Sequence, residues 1–185
     1  MILFYNFFKL FFLAVCCLCL GCDMIYGFLN KEVAEEKKLI GEIIPNERNP
    51  AVAEIQILLK LYGYNSGNVD GVLGGRTRDA IERFQEDNGL KPSRFVDKKT
   101  WEMLHALENT GLIVEHELNV KLIQKLFKKN GFNPGTIDGK MGPQSKDAVK
   151  AFQKAKGLKE DGMIGYQTLL ELAKLLPPAN KQKVE

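Results

Sequence analysis

The stretch IDGKMGPQSKDAVKAFQ, residues 137–153, holds the pattern that decides the fold. Asp138-Gly139 lead to Gly142 and Ser145, and the same D-G-x-x-G-x-x-[ST] order recurs twice. Asp70-Gly71 lead to Gly74 and Thr77, and Asp161-Gly162 lead to Gly165 and Thr168. Sliding the chain along itself by 68 residues shows why. Ile55–Leu104 then falls on Ile123–Leu172 without a gap, and 19 of 50 positions are identical, among them Ile55-Gln56 on Ile123-Gln124 and Phe84-Gln85 on Phe152-Gln153. A tandem duplication of this length sets the architecture before any single element is assigned.

Each copy reads as three short helices. Val52, Ile55, Leu58, Leu59 and Tyr62 recur at spacings of three and four and end at Gly63, one apolar helical face with a stop signal. Ala80, Ile81 and Phe84 mark a second helix, and Trp101, Leu104 and Leu107 a third. Leu122, Ile123, Leu126 and Phe127, then Ala148, Val149 and Phe152, then Leu169, Leu172 and Leu176 repeat the scheme. The D-G loops precede predicted helices. Their first glycine permits the positive φ of a tight turn, and their Asp and Ser or Thr oxygens lie near helix N–H groups that lack partners. The fourth expected copy, SRFVDKKT at 93–100, keeps only Thr100, so that corner is expected to be altered. The expectation is an all-α chain of two three-helix modules, residues 52–107 and 118–175, joined by 108–117 and followed by a tail, 176–185.

The opening of the chain differs in kind. All four cysteines, Cys16, Cys17, Cys19 and Cys22, lie in it, so no disulfide framework reaches the modules. Leu10–Gly21 is an apolar run of signal-peptide length, short of the roughly 20 residues a membrane-spanning helix needs. Its end, Gly21-Cys22, resembles the lipobox of bacterial lipoproteins, which implies cleavage after residue 21 and lipidation of Cys22. An uncleaved anchor and ordinary secretion are the alternatives. All three put the rest of the chain outside the cytoplasm. Residues 22–50 then form a spacer, with KEVAEEKK as a short helix within it.

The repeated set I-Q-x-L, G-[YF]-N-x-G-x-[VI]-D-G-x-x-G, A-[IV]-x-x-F-Q and D-G-x-x-G-x-x-T resembles the three-helix peptidoglycan-binding domain carried by many bacterial cell-wall hydrolases. That resemblance covers both modules and implies non-catalytic binding of cell-wall peptidoglycan; the export segment places it on the periplasmic side of the cell envelope, and no cofactor is expected. The rival is an adaptor for an envelope protein complex or hydrolase, built on modules that no longer bind glycan.

Peptidoglycan offers carboxylates, amides and sugar hydroxyls, which call for donors, positive charge and an apolar rim. Helix N-termini behind the D-G loops supply N–H donors. Beside them lie Asp70, Arg76 and Arg78 in module one and Asp138, Lys140, Gln144 and Lys146 in module two, with Tyr64 and Phe132 flanking. Counting Lys and Arg against Asp and Glu, residues 50–107 carry 8 and 8, whereas residues 118–175 carry 11 and 5. Module two is therefore expected to bind more strongly. The net charge of +3 is too mild to argue for nucleic acid. Catalytic chemistry finds no footing. HELNV at His116 starts like a zinc-protease helix but has Val120 in place of the second His. His105 falls on the third helix as a core-edge or surface residue. No metal site follows from either histidine, and the D-G loops lack the closing Glu of a calcium loop.

Overall fold

The computed structural model describes Gly27 and residues 30–41 and 47–177. The export segment, Cys22 and the tail beyond residue 177 lie outside these residues. Among those described, no helix is long and apolar enough to cross a membrane.

A helix through residues 30–40 (α1) comes first. Module one follows as α2 (Pro50–Leu61), α3 (Gly75–Asp87) and α4 (Lys98–His105), and module two as α5 (Val120–Lys129), α6 (Pro143–Ala155) and α7 (Tyr166–Ala173). Helix starts follow local chemistry. Asn49 caps α2 by accepting from the Ala51 N–H at 2.9 Å with Pro50 next in line. Asn119 caps α5 through the Leu122 N–H at 3.1 Å.

The helical faces expected from the sequence form the core. Val52, Ile55, Leu59, Ala80, Ile81, Phe84 and Leu104 in module one, and Ile123, Phe127, Val149, Phe152, Leu169 and Leu172 in module two, have no measurable exposure. Trp101, Leu122 and Leu176 sit at its edge, only partly buried. At that edge the Trp101 ring stacks on His105, with centroids 4.2 Å apart.

Three features depart from the simple reading. The short helix expected within the spacer forms as α1 but is docked on module one: Glu36 and Ile40 are buried, and Glu36 meets Arg78 Nη1 at 3.4 Å. Burial pushes the Glu36 carboxyl up, and the nearby Arg78 charge pulls the other way. The stretch between modules is not an open tether. It holds a 3₁₀ turn (Glu108–Thr110) and a two-strand hairpin, β1 (Ile113–Val114) with β2 (Glu117–Leu118), with Leu112 buried in the shared core. Its turn residues, Glu115 and His116, have φ of 50° and 62°, positions where Asn and Gly are usual, so no hairpin signal is legible there.

The third departure joins the modules into one body. Tyr166, at the start of α7, packs edge-on against Tyr62 at 4.9 Å and Phe84 at 5.0 Å. Its hydroxyl donates to the Met103 carbonyl at 3.0 Å. Gly165 makes this approach possible, since a Cβ there would stand 3.1 Å from the Tyr62 carbonyl oxygen.

Candidate functional site

Each repeat is organised by a buried glutamine that sequence reading passed over. Gln124, on α5, has 1% exposure, and its Nε2 lies 3.2 Å from Asp138 Oδ1, 2.9 Å from the Lys140 carbonyl and 3.0 Å from Ser145 Oγ. Its Oε1 accepts the Gly139 N–H at 2.9 Å. Gln56 does the same to Asp70, Val72 and Thr77, and also accepts the Asp70 and Gly71 N–H groups. Gln153, on α6, clamps Asp161, Met163, Thr168 and Gly162. The spacing of D-G-x-x-G-x-x-[ST] is therefore the spacing needed to wrap one amide. Asp closes the turn, Gly frees an N–H, and Ser or Thr at the helix start completes the ring of partners. The signal was in the sequence: a glutamine beside an apolar core residue at Ile55-Gln56, Phe84-Gln85, Ile123-Gln124 and Phe152-Gln153.

The corner at 93–100 is altered in sequence and keeps its wiring. Gln85 reaches Ser93 Oγ at 3.1 Å, the Phe95 carbonyl at 2.7 Å and Thr100 Oγ1 at 2.9 Å, and it accepts from the Ser93 and Arg94 N–H groups. Arg94 stands where Gly162 stands in the second repeat and adopts φ 66°, a conformation that costs a side chain about 1 kcal/mol. Its guanidinium is held by Asp79 at 2.6 Å and Glu82 at 3.2 Å. Asp97, in place of the helix-capping Gly165, accepts from the Thr100 N–H at 2.7 Å.

The loop carboxylates are used at one oxygen. Asp70 Oδ1 also accepts the Val72 N–H at 2.9 Å, and Asp138 Oδ1 the Lys140 N–H at 2.8 Å. The Gln56 amide, then the Val72 N–H, hold Asp70 below the usual range; for Asp138 the Lys140 N–H comes first and the Gln124 amide second. Both carboxylates stay charged and face solvent.

Not all the expected ligand residues meet. In module two, Asp138, Lys140 and Gln144 line one shallow cleft of about 340 Å³ with Pro134, Thr136 and Ser145. Lys146 is exposed on the first turn of α6 outside that lining, and Phe132 packs on Phe152 with centroids 5.4 Å apart. In module one, Asp70 and Arg76 share a smaller cleft of about 210 Å³. Arg78 turns away from it to Glu36, the Arg94 carbonyl at 3.1 Å and the Phe95 ring at 5.1 Å. Tyr64 lies elsewhere, in a groove of about 500 Å³ between the modules, lined also by Tyr62, Asp87, Asp161, Met163 and Gln167.

Two three-helix modules in tandem, each with a glutamine-clamped loop and a cleft at a helix start, define the class of domain. The chain belongs to the family described as "Putative peptidoglycan binding domain", matched over residues 48–104 and 116–172. It is similar to N-acetylmuramoyl-L-alanine amidase CwlM of Mycobacterium tuberculosis, 27% identical over 145 residues, covering 68% of this chain and 36% of that protein. It is also similar to N-acetylmuramoyl-L-alanine amidase CwlL of Bacillus licheniformis, 30% identical over 135 residues, covering 69% of this chain and 36% of the relative. The chain thus spans about a third of the length of these relatives. No solved structure matches it. The tandem repeats and the family together support binding to the cell wall.

Proposed function

We propose that this is an exported, lipid-anchored protein that binds peptidoglycan without catalysis and ties membrane to wall. The observation that carries the reading is the module-two cleft. Lys140 and Gln144 flank the start of α6, whose first-turn N–H groups have no side-chain cap, a fitting site for a stem-peptide carboxylate. Module one has the same loop but a smaller cleft, and its Arg78 is engaged by Glu36. Module two is therefore the stronger binder in this reading. An altered loop at 93–100 would fit the adaptor alternative, but its Gln85 hydrogen bonds to Phe95 and Thr100 are retained, so the loop itself gives no support for it.

The test is co-sedimentation of residues 23–185, the span after Cys22, with purified sacculi at low and moderate salt. Retention that weakens with salt is expected. Lys140→Ala combined with Gln144→Ala is expected to lower affinity about tenfold, or about 1.4 kcal/mol. Undiminished binding by that variant excludes the cleft, and absence of sedimentation by the unaltered protein turns the reading to the adaptor. Anchoring is tested separately by fractionating cells that express the full chain. Cys22→Ser is expected to move the protein from membrane to soluble fraction, and an unchanged membrane fraction would favour an uncleaved anchor.

A further inference from the structure

Glu54 on α2, His105 at the end of α4 and Glu108 in the turn that follows converge at one corner of module one, with one ligand atom from each lying within 4.8 Å of the others. His105 Nδ1 is 2.8 Å from the Trp101 carbonyl, which can only accept, so Nδ1 carries a proton. Nε2 is then left facing the two carboxylates. It is buried and has no hydrogen-bond partner, and Glu54 Oε1 and Glu108 Oε1 each stand 3.6 Å away. That distance is too long for a charge-assisted hydrogen bond, which closes to about 2.8 Å. It fits another geometry. Ligands at about 2.1 Å around a tetrahedral ion are separated by about 3.4 Å.

The repeat supplies an independent argument. Glu54, His105 and Glu108 fall on Leu122, Ala173 and Leu176 of module two, and all three of these pack against the apolar core. One corner of module one has therefore exchanged three apolar or small residues for three metal-ligating ones, from two helices and a turn.

We propose that Glu54, His105 and Glu108 form a divalent transition-metal site, with zinc the best match, that fastens α2 to the end of α4 where the chain leaves module one. An imidazole with two carboxylates suits zinc rather than calcium or magnesium, which prefer oxygen alone. Two carboxylates balance the charge of the ion, and a fourth position is left for water. The Nδ1–H bond to the Trp101 carbonyl is the outer contact that orients a ligating histidine, and Trp101 stacked at 4.2 Å fixes the plane of the ring.

The experiment is a zinc titration of untagged residues 23–185, stripped with chelator, by calorimetry at neutral pH, with thermal melting alongside. This span lacks all four cysteines, so thiolates cannot supply the signal. One equivalent is expected to bind in the micromolar range. A zinc concentration 100-fold above that dissociation constant is expected to raise the melting temperature by several degrees. Glu108→Gln, at an exposed position, and His105→Ala are expected to weaken binding at least tenfold, whereas His116→Ala, in the hairpin turn, leaves it unchanged. Cobalt as a stand-in should give the visible absorption of a four-coordinate ion in the unaltered protein only. Absence of saturable binding overturns the proposal. Binding that survives both Glu108→Gln and His105→Ala, or that is lost with His116→Ala, overturns it as well.

Discussion

Replacing Gln153 with alanine is expected to lower the melting temperature by about 6–12 °C, the shift that roughly 3 kcal/mol produces in a protein of this size. The amide serves Asp161 Oδ1 at 3.0 Å, the Met163 carbonyl at 2.9 Å, Thr168 Oγ1 at 3.2 Å and the Gly162 N–H at 2.9 Å. These partners do not weigh equally. Met163 is exposed and Asp161 partly so, and water can replace the glutamine there. Gly162 and Thr168 are buried, and each stranded polar group costs about 1–3 kcal/mol. The cavity left by the side chain adds to this. Gln153→Glu separates hydrogen bonding from volume. It keeps the shape, cannot donate to the Asp161 carboxylate, and brings a second negative charge beside it, so it is expected to be at least as damaging as alanine. Urea titration of the three proteins checks both. A loss under 1 kcal/mol for Gln153→Ala would mean that the loop is held by its own turn residues.

The core was largely legible in the sequence because helical periodicity and a gapless repeat both report burial, and neither needs partners to be known. Phe84 and Phe152, or Ile55 and Ile123, announce each other. The wiring of the loops was half legible. Asp70-Gly71 and Thr77 could be seen as a motif, but the motif was read as helix capping, whereas Asp70 and Thr77 converge on Gln56, 14 and 21 residues upstream in the chain. A glutamine next to a core residue has no periodicity of its own. Contacts between elements far apart in the chain were least legible. Tyr166 falls on Lys98 in the repeat, so self-alignment gives no hint that it is buried, and the Glu54–His105 approach spans two helices with nothing local to mark it. Of the expected ligand residues, Arg78 and Phe132 were placed by neighbourhood in the chain. Their environments were decided by α1 and by the module-two core, which local reading could not supply.

Tyr166→Ala is expected to uncouple the modules. Tyr166 is 2% exposed, and its ring is shared between Tyr62 and Phe84 of module one, 4.9 Å and 5.0 Å away. Removing a buried aromatic ring costs about 3–5 kcal/mol. Here the loss falls on the contact between modules, which leaves each three-helix core intact. A module of this size buries only about 60% of its unfolded surface and is marginal alone, so the joint carries much of the cooperativity. The single tryptophan makes the effect separable, because Trp101 lies in module one and its fluorescence reports that module, while circular dichroism follows every helix. The two probes should give one coincident urea transition in the unaltered protein and two displaced ones in Tyr166→Ala. Tyr166→Phe, which loses only the hydroxyl bond to the Met103 carbonyl, should cost about 1 kcal/mol and keep the transitions together. Coincident transitions in Tyr166→Ala would place the coupling in the buried hairpin segment at Leu112 instead. The distinction bears on wall binding, since two clefts on one rigid body meet their ligands at a fixed spacing. Avidity then depends on whether the polymer presents its sites at that spacing, and loosening the joint in Tyr166→Ala should change retention on sacculi even though no cleft residue is touched.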